Sequence, residues 1–285
     1  MTDNNSFGIL GGDGRQIALA ESIASDGYAV RAYGFDSVSF SEGVRKSGLR
    51  ETVEHSENII LPLPVTSDGT HLKMDCCDDR VVLDDAFAEL LRGKLVFGGR
   101  MGKLYRTSEL WDSIDACDYC AREEFAVRNA VPTAEGALET AMHEYPGTVH
   151  GSRCLVAGFG RLGKTIAWML RGIGADVAVS ARTQPDLAWI ESFGYRALPA
   201  DRLGEGTFDL VFNTVPYPIF SRPVMRRMKC RPLLIDLASP PGGVDPEAAE
   251  ETGVRVIRAP SLPGKVAPKA AGEIIKRTIY AMMEE

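Results

Sequence analysis

No apolar run in the 285 residues approaches the roughly 18 that a membrane-crossing helix needs. The opening residues, Met1-Thr2-Asp3-Asn4-Asn5, carry neither a basic nor an apolar segment, so no secretory leader is expected. Basic charge is also in short supply. Lys and Arg number 32 against 39 Asp and Glu, and the net charge of -7 offers no basic face for nucleic acid. Neither nucleic acid nor a membrane is therefore an expected partner. Histidine is scarcer still: there are four, and none follows His150. The six cysteines lack a metal-binding pattern. Cys117 and Cys120 form a single C-x-x-C with no second pair and no histidine nearby, and Cys76 and Cys77 are adjacent. No metal is expected. Small apolar packing accounts for Cys117 and Cys120, and reduced thiols suit a cytoplasm.

What is present is an ordinary globular composition, 45% hydrophobic and 25% charged, in a chain long enough for two domains. No repeat interrupts it. Two α/β units follow one another. The first starts with a strand at Phe7–Leu10, a turn at Gly11-Gly12-Asp13-Gly14, a helix from Arg15 to about Ser25 and a strand at Tyr28–Tyr33. Strands at Asn58–Leu61 and Lys94–Phe97 and a helix from Asp84 to Leu91 complete it. A helix from about Ser113 to Asn129, a break at Pro132 and a second helix from Thr133 to Tyr145 form an expected connector. The second unit begins with the apolar strand Arg153–Ala157, and strands at Asp176–Ser180, Leu210–Phe212, Leu233–Asp236 and Val254–Arg258 follow. The last helix spans about Pro268 to Met283. The predicted fold is α/β: two Rossmann-like domains, each a parallel sheet flanked by helices, with a cleft between them.

The hexapeptide Gly158-Phe159-Gly160-Arg161-Leu162-Gly163 stands between a buried strand and an amphipathic helix, the context a dinucleotide loop requires. The first glycine permits the turn, the second lets the backbone approach a pyrophosphate, and the third lets the helix pack on the strand. Arg161 either contacts the pyrophosphate or faces solvent. The next strand ends in Ser180-Ala181-Arg182-Thr183, with no acid to hold a ribose 2′-hydroxyl. Arg182 suits a 2′-phosphate, with Ser180 or Thr183 as further donors, so the expected cofactor is NADP, with NAD left open. Asn213-Thr214-Val215-Pro216 and Ala238-Ser239 end later strands and would border the nicotinamide.

On the substrate side, the Gly12-Asp13-Gly14-Arg15 turn lacks a third glycine, since Ile17 stands there, and suits a smaller anion such as a carboxylate. Asp13 belongs to that turn. Arg15 and Arg100 are candidates for carboxylate recognition, or else members of salt bridges. No residue announces itself as a general base. His71 and Lys265 are the candidates, each with a structural alternative. Hydride transfer needs chiefly positioning.

Several segments together resemble the A subunits of dipicolinate synthases: Gly11-Gly12-Asp13, Leu61-Pro62-Leu63-Pro64, Arg122-Glu123-Glu124, Asn129–Ala137, Gly158–Lys164, Asn213–Pro216 and Leu262–Lys269. The resemblance implies a two-domain fold similar to alanine dehydrogenase. It implies a substrate domain over 1–146, completed by the C-terminal stretch 265–285, and a nucleotide domain over 147–264. Thr133, inside the Asn129–Ala137 motif, joins Asp13, Arg15 and Arg100 as a candidate substrate contact. The implied reaction is oxidation of a dihydro- or 4-hydroxy-tetrahydrodipicolinate to pyridine-2,6-dicarboxylate, with hydride passing to NADP. The implied partner is the flavoprotein-like B subunit of such a synthase. Homo-oligomerisation is also open. The implied setting is the cytoplasm of a sporulating mother cell. Two alternatives stand beside this reading. One is another amino-acid or 2-hydroxyacid dehydrogenase, although the missing histidine after His150 argues against hydroxyacid chemistry. The other is a non-catalytic nucleotide-binding subunit.

Overall fold

The computed structural model describes residues 6–285, so the leader expectation for the first five residues falls outside it. The chain runs β1 (Ser6–Leu10), α1 (Gly14–Ser25), β2 (Ala29–Tyr33), β3 (Val44–Lys46), α2 (Leu49–Glu54), β4 (Asn58–Ile60), α3 (Asp85–Leu90), β5 (Leu95–Gly98) and β6 (Asp115–Asp118). The helix α4 (Glu123–Glu144) leads to β7 (Arg153–Ala157), α5 (Arg161–Ile173), β8 (Asp176–Ala181), α6 (Gln184–Ser192) and β9 (Arg196–Pro199). Then come β10 (Leu210–Asn213), α7 (Arg222–Arg227), β11 (Leu233–Asp236), α8 (Pro246–Thr252), β12 (Arg255–Arg258), α9 (Leu262–Val266) and α10 (Pro268–Met283).

All pairing within the two six-stranded sheets is parallel, in the orders β3-β2-β1-β4-β5-β6 and β12-β11-β10-β7-β8-β9. Each therefore has a point where consecutive connections leave in opposite directions, between β1 and β4 in one and β7 and β10 in the other. The apolar runs read from sequence become the central strands because both faces are covered. Cys154, Leu155, Val156 and Ala157 are fully buried. On α5 the buried residues are Gly163, Ile166, Ala167 and Leu170, one helical face turned to the sheet. The parallel α/β architecture expected from the sequence is the architecture observed.

Two compact units result: the described residues up to Asn129 together with Ala267–Glu285, and Ala130–Val266. The first division falls inside α4, whereas the sequence reading puts it after residue 146. In the first unit α10 lies on α1 at close range, since a Cβ on Gly272 would stand 2.7 Å from the Arg15 carbonyl oxygen. Ser22 donates to Glu273 at 2.8 Å, and Asp26 accepts from both Lys276 (2.8 Å) and Tyr280 (3.0 Å). In the second unit Gly136 of α4 faces α9, where an added Cβ would meet Leu262 and Val266 at 3.0 Å.

The connector differs from expectation. Residues 115–118 form the edge strand β6, paired with β5, instead of a helix. The sequence Asp-Ala-Cys-Asp has no strand propensity of its own, and pairing with an apolar neighbour makes it a strand. The helix expected to break at Pro132 continues from Glu123 to Glu144. Proline removes one amide and crowds the carbonyl four residues earlier. Burial of Ala130 and Ala134 on one side and of Pro132 on the other holds the helix together across that gap. The short strand β3 was also hidden in the sequence: it is only Val44-Arg45-Lys46. Among the described residues no helix is long and apolar enough to cross a membrane.

Candidate active site

The glycine loop leaves β7 at Ala157 and enters α5 at Arg161. Gly158 has a φ of +101°, a left-handed conformation open to glycine, and its amide donates to the Ser180 carbonyl at 2.9 Å. A Cβ on Gly163 would stand 2.1 Å from the Gly158 carbonyl oxygen, so helix and loop touch through backbone alone. At Gly160 an added Cβ would meet nothing within 4 Å. As the N-cap of α5, Gly160 supplies no side-chain oxygen for the first helical amides. Those amides and the partial positive charge of the helix start suit an anion, and the backbone at Gly160 is open to approach. The loop thus fits a dinucleotide. Phe159 turns inward, with its ring 6.1 Å from that of Phe193, and Leu162 is half-buried, so these two support the loop. Arg161 begins the helix on the exposed side.

β8 ends at Ala181, and Arg182 is exposed just beyond it. Ser180 is buried, and the Thr183 hydroxyl donates to Asp186 at 2.7 Å while capping α6. Of the three expected donors to a 2′-phosphate, Ser180 is buried and Thr183 is engaged with Asp186, while Arg182 lies at the surface.

At the ends of β10 and β11, Asn213 and Asp236 sit opposite one another in register. The Asn213 amide donates to Asp236 Oδ1 (2.8 Å) and to the Val215 carbonyl (3.1 Å), and its Oδ1 accepts from Val215 N (3.1 Å). Thr214 donates back to the Ala157 carbonyl at 2.9 Å, tying this turn to the glycine loop. Val215 is half-buried, Pro216 and Ser239 are exposed, and Ala238 N reaches Asp236 Oδ1 at 3.3 Å. Asp236 was missed from sequence, although an acid closing the apolar run Leu233-Leu234-Ile235 is its signal.

In the first unit the corresponding turn is filled by the chain itself. Asp13 caps α1, and its carboxylate accepts from Arg15 Nε (2.9 Å), Arg15 Nη2 (2.7 Å) and Lys73 Nζ (2.8 Å). Arg15 is only 4% exposed and also donates to the Leu63 carbonyl. Burial raises the Asp13 carboxyl, but these cations outweigh it and hold the group well below the usual range. Residues 73–75 close over the turn, with Asp75 N donating to the Gly12 carbonyl at 2.9 Å. The expected anion seat at this helix start is therefore taken by Asp13, and Arg15 is committed to an internal pair. Lys73 was not foreseen.

Arg100 is exposed and left-handed, with a φ of +57°. Asp118 at the end of β6 stabilises this turn, accepting from the amides of Arg100 (3.0 Å), Met101 (2.9 Å) and Cys120 (2.8 Å). Arg100 therefore stands just beyond the carboxyl end of β5, beside that of β6. Thr133 is half-buried on α4, and Lys265 is exposed on α9 without a hydrogen bond or ion pair among the described residues. His71 is a member of a local pair: its Nδ1 lies 2.8 Å from Asp68 Oδ2 and 2.9 Å from Thr70 Oγ1. Amide hydrogen bonds from Thr70 and His71 hold Asp68 well below the usual carboxylate range. Cys117 and Cys120 pack against the core of the first unit, and burial raises the Cys120 thiol to about 12. Asp36, Cys77 and Asp79 gather at the surface, where the Cys77 thiol donates to Asp36 at 3.0 Å.

A family model described as the N-terminal domain of the dipicolinate synthase A subunit matches residues 6–108. The chain is 31% identical over 290 residues to the A subunit of dipicolinate synthase from Bacillus subtilis strain 168, covering 100% of this chain and 98% of the relative. It is similar to the crystal structure of the dipicolinate synthase A subunit from Bacillus halodurans, with a TM-score of 0.87, 27% identity and coverage of 99% and 98%. An L-alanine dehydrogenase structure shares the fold, with a TM-score of 0.62, 15% identity and coverage of 98% and 88%. With a full-length relative at this identity and the same two-sheet architecture, the chain belongs to the family of dipicolinate synthase A subunits.

Proposed function

We propose that this chain is the dehydrogenase subunit of a dipicolinate synthase: it oxidises a dihydrodipicolinate, formed by water loss from 4-hydroxy-tetrahydrodipicolinate, to pyridine-2,6-dicarboxylate. The observation that carries the reading is the glycine loop at β7 and α5, open above Gly160 and free of a side-chain cap, in a chain of this family. A dinucleotide held by the glycine loop and the first amides of α5 would supply the hydride acceptor, and the reduced ring would lose a proton along with the hydride.

The chain's own residues bind and orient. The first amides of α5 hold the pyrophosphate. The Asn213–Val215 turn and the Ala238–Ser239 segment position the nicotinamide end. Arg182, with no acid at the end of β8, favours NADP over NAD. Arg100, and not the buried Arg15, is the guanidinium offered to a substrate carboxylate, with Thr133 as a further contact. Aromatisation drives the step, so the departing proton needs no strong base. The Asp68–His71 pair offers an imidazole to receive it, and Lys265 an amine. The assembly completes with a B subunit in the cytoplasm of a sporulating cell.

The test mixes purified protein with NADP and freshly made dihydrodipicolinate, first alone and then with the B subunit. NADPH absorbance reports turnover. Turnover by this chain alone supports the proposal. Turnover that persists when this chain is replaced by its Gly163→Ala variant, or none in either mixture, overturns it. Replacing His71 and Lys265 separately measures their share: a loss of about three decades at either, with folding intact, identifies a required base.

A further inference from the structure

Asp236 uses both carboxylate oxygens as acceptors. Oδ1 takes hydrogen bonds from Asn213 Nδ2 (2.8 Å) and Ala238 N (3.3 Å), and Oδ2 takes one from Gly243 N (3.2 Å). Every hydrogen bond the group makes is one it accepts, an arrangement that an ionised carboxylate satisfies with no donor of its own. The residue is 4% exposed, and no lysine, arginine or histidine pairs with it among the described residues. Neutral dipoles alone hold this charge. With neither a counter-ion nor bulk water against it, its field reaches farther than that of a surface carboxylate.

Strand order determines what that field meets. β8, with Arg182 beyond its end, lies on one side of β7 and its glycine loop, and β10 and β11 lie on the other. On a sheet wound this way the adenosine half of a dinucleotide lies over the first side and the nicotinamide half over the second. Asp236 closes β11 on the nicotinamide side. Oxidised nicotinamide carries a positive charge on its ring, and the reduced ring is neutral. The neighbours are built around the carboxylate: a Cβ on Gly243 would stand 1.9 Å from Asn213 Nδ2, so both loops close tightly on it.

The geometry points to Asp236 as a selectivity residue for the redox state of the cofactor: its buried charge makes the oxidised dinucleotide bind more tightly than the reduced one, by on the order of tenfold. The inference rests on the dinucleotide reading above and deepens it. An enzyme so arranged takes up its oxidant readily and releases the reduced product, which suits a dehydrogenase working toward an aromatic ring.

Dissociation constants for NADP and NADPH, measured on the full chain without substrate, test it. NADPH is followed by its fluorescence and NADP by competition. The expected result is a wild-type preference of about tenfold for the oxidised form that collapses toward unity in Asp236→Asn. The asparagine amide has to face the Gly243 N–H, so Asp236→Ser is measured alongside, and the thermal melt of each variant is recorded. A purely structural role weakens both forms by the same factor and leaves the ratio unchanged. A wild-type ratio near one, or a ratio retained in a folded variant, overturns the inference. If neither variant folds, the wild-type ratio alone decides. Failure of the wild type to bind either form overturns the dinucleotide reading itself.

Discussion

Gly163 touches the Gly158 carbonyl through backbone alone, and a methyl group placed there would stand 2.1 Å from that oxygen. Gly160, in the same hexapeptide, has nothing within 4 Å of an added Cβ. The two alanine variants are therefore expected to fail differently. Gly163→Ala forces helix and loop apart and costs about 2–3 kcal/mol of stability as well as dinucleotide binding. Gly160→Ala keeps stability within about 0.5 kcal/mol of wild type but lowers dinucleotide affinity by about tenfold or more, because its methyl occupies the approach to the pyrophosphate. Urea unfolding and a cofactor titration on each variant separate these outcomes. Unchanged affinity in Gly160→Ala removes the loop from the site.

Arg182 lies exposed just beyond β8 and Thr183 is engaged with Asp186, so under the proposed function Arg182 is the cation that would meet a 2′-phosphate. Arg182→Ala should weaken NADP binding by about tenfold to a hundredfold, the worth of a charge-assisted hydrogen bond, and leave NAD binding as it was. Equal losses for both dinucleotides, or for neither, contradict this assignment.

Acid should destabilise the first unit through Asp13. Its folded carboxyl lies below the unfolded value of about 3.9. Stability from this group is therefore fully present above the unfolded value and is lost as pH falls through it toward the folded one. Melting temperature should hold level down to about pH 5 and drop below it, and Asp13→Asn should flatten part of that drop. At neutral pH the same change leaves Arg15 buried beside the Leu63 carbonyl alone, at a cost of about 3–5 kcal/mol. An acid limb of identical slope in the variant contradicts the assignment.

Thiol reactivity should divide by burial. The Cys120 and Cys154 thiols are pushed up to about 12 and about 11. At pH 8 iodoacetamide should leave both unmodified in the native protein and label both after denaturation, as read by peptide mass spectrometry. Native labelling at either position shows that its segment opens.

Much of the candidate site was legible because it lies where a periodic element meets a turn. The loop at Gly158–Gly163 announces itself through three glycines between an apolar strand and an amphipathic helix. Residues that act by pairing across the fold left fainter marks. Asp118 fell within an expected helix and Asp236 at the end of an expected strand, and Asp68 and Lys73 carried no local signal. For Arg15 the linear order left carboxylate recognition and a salt bridge both open, because nothing in it tells that the residue-73 loop and Leu63 close over the side chain.

By itself the sequence determined the class of fold, the order of its central strands' elements and the place of the glycine loop between β7 and α5, because periodicity and glycine spacing are local properties of a chain. Tertiary structure decided the rest. It made residues 115–118 an edge strand, carried α4 through Pro132, buried Arg15 against Asp13, and set Asp236 against Asn213. Each of these depends on partners distant in sequence or on burial, and the energy of a charge or hydrogen bond is set by its surroundings rather than by its residue type.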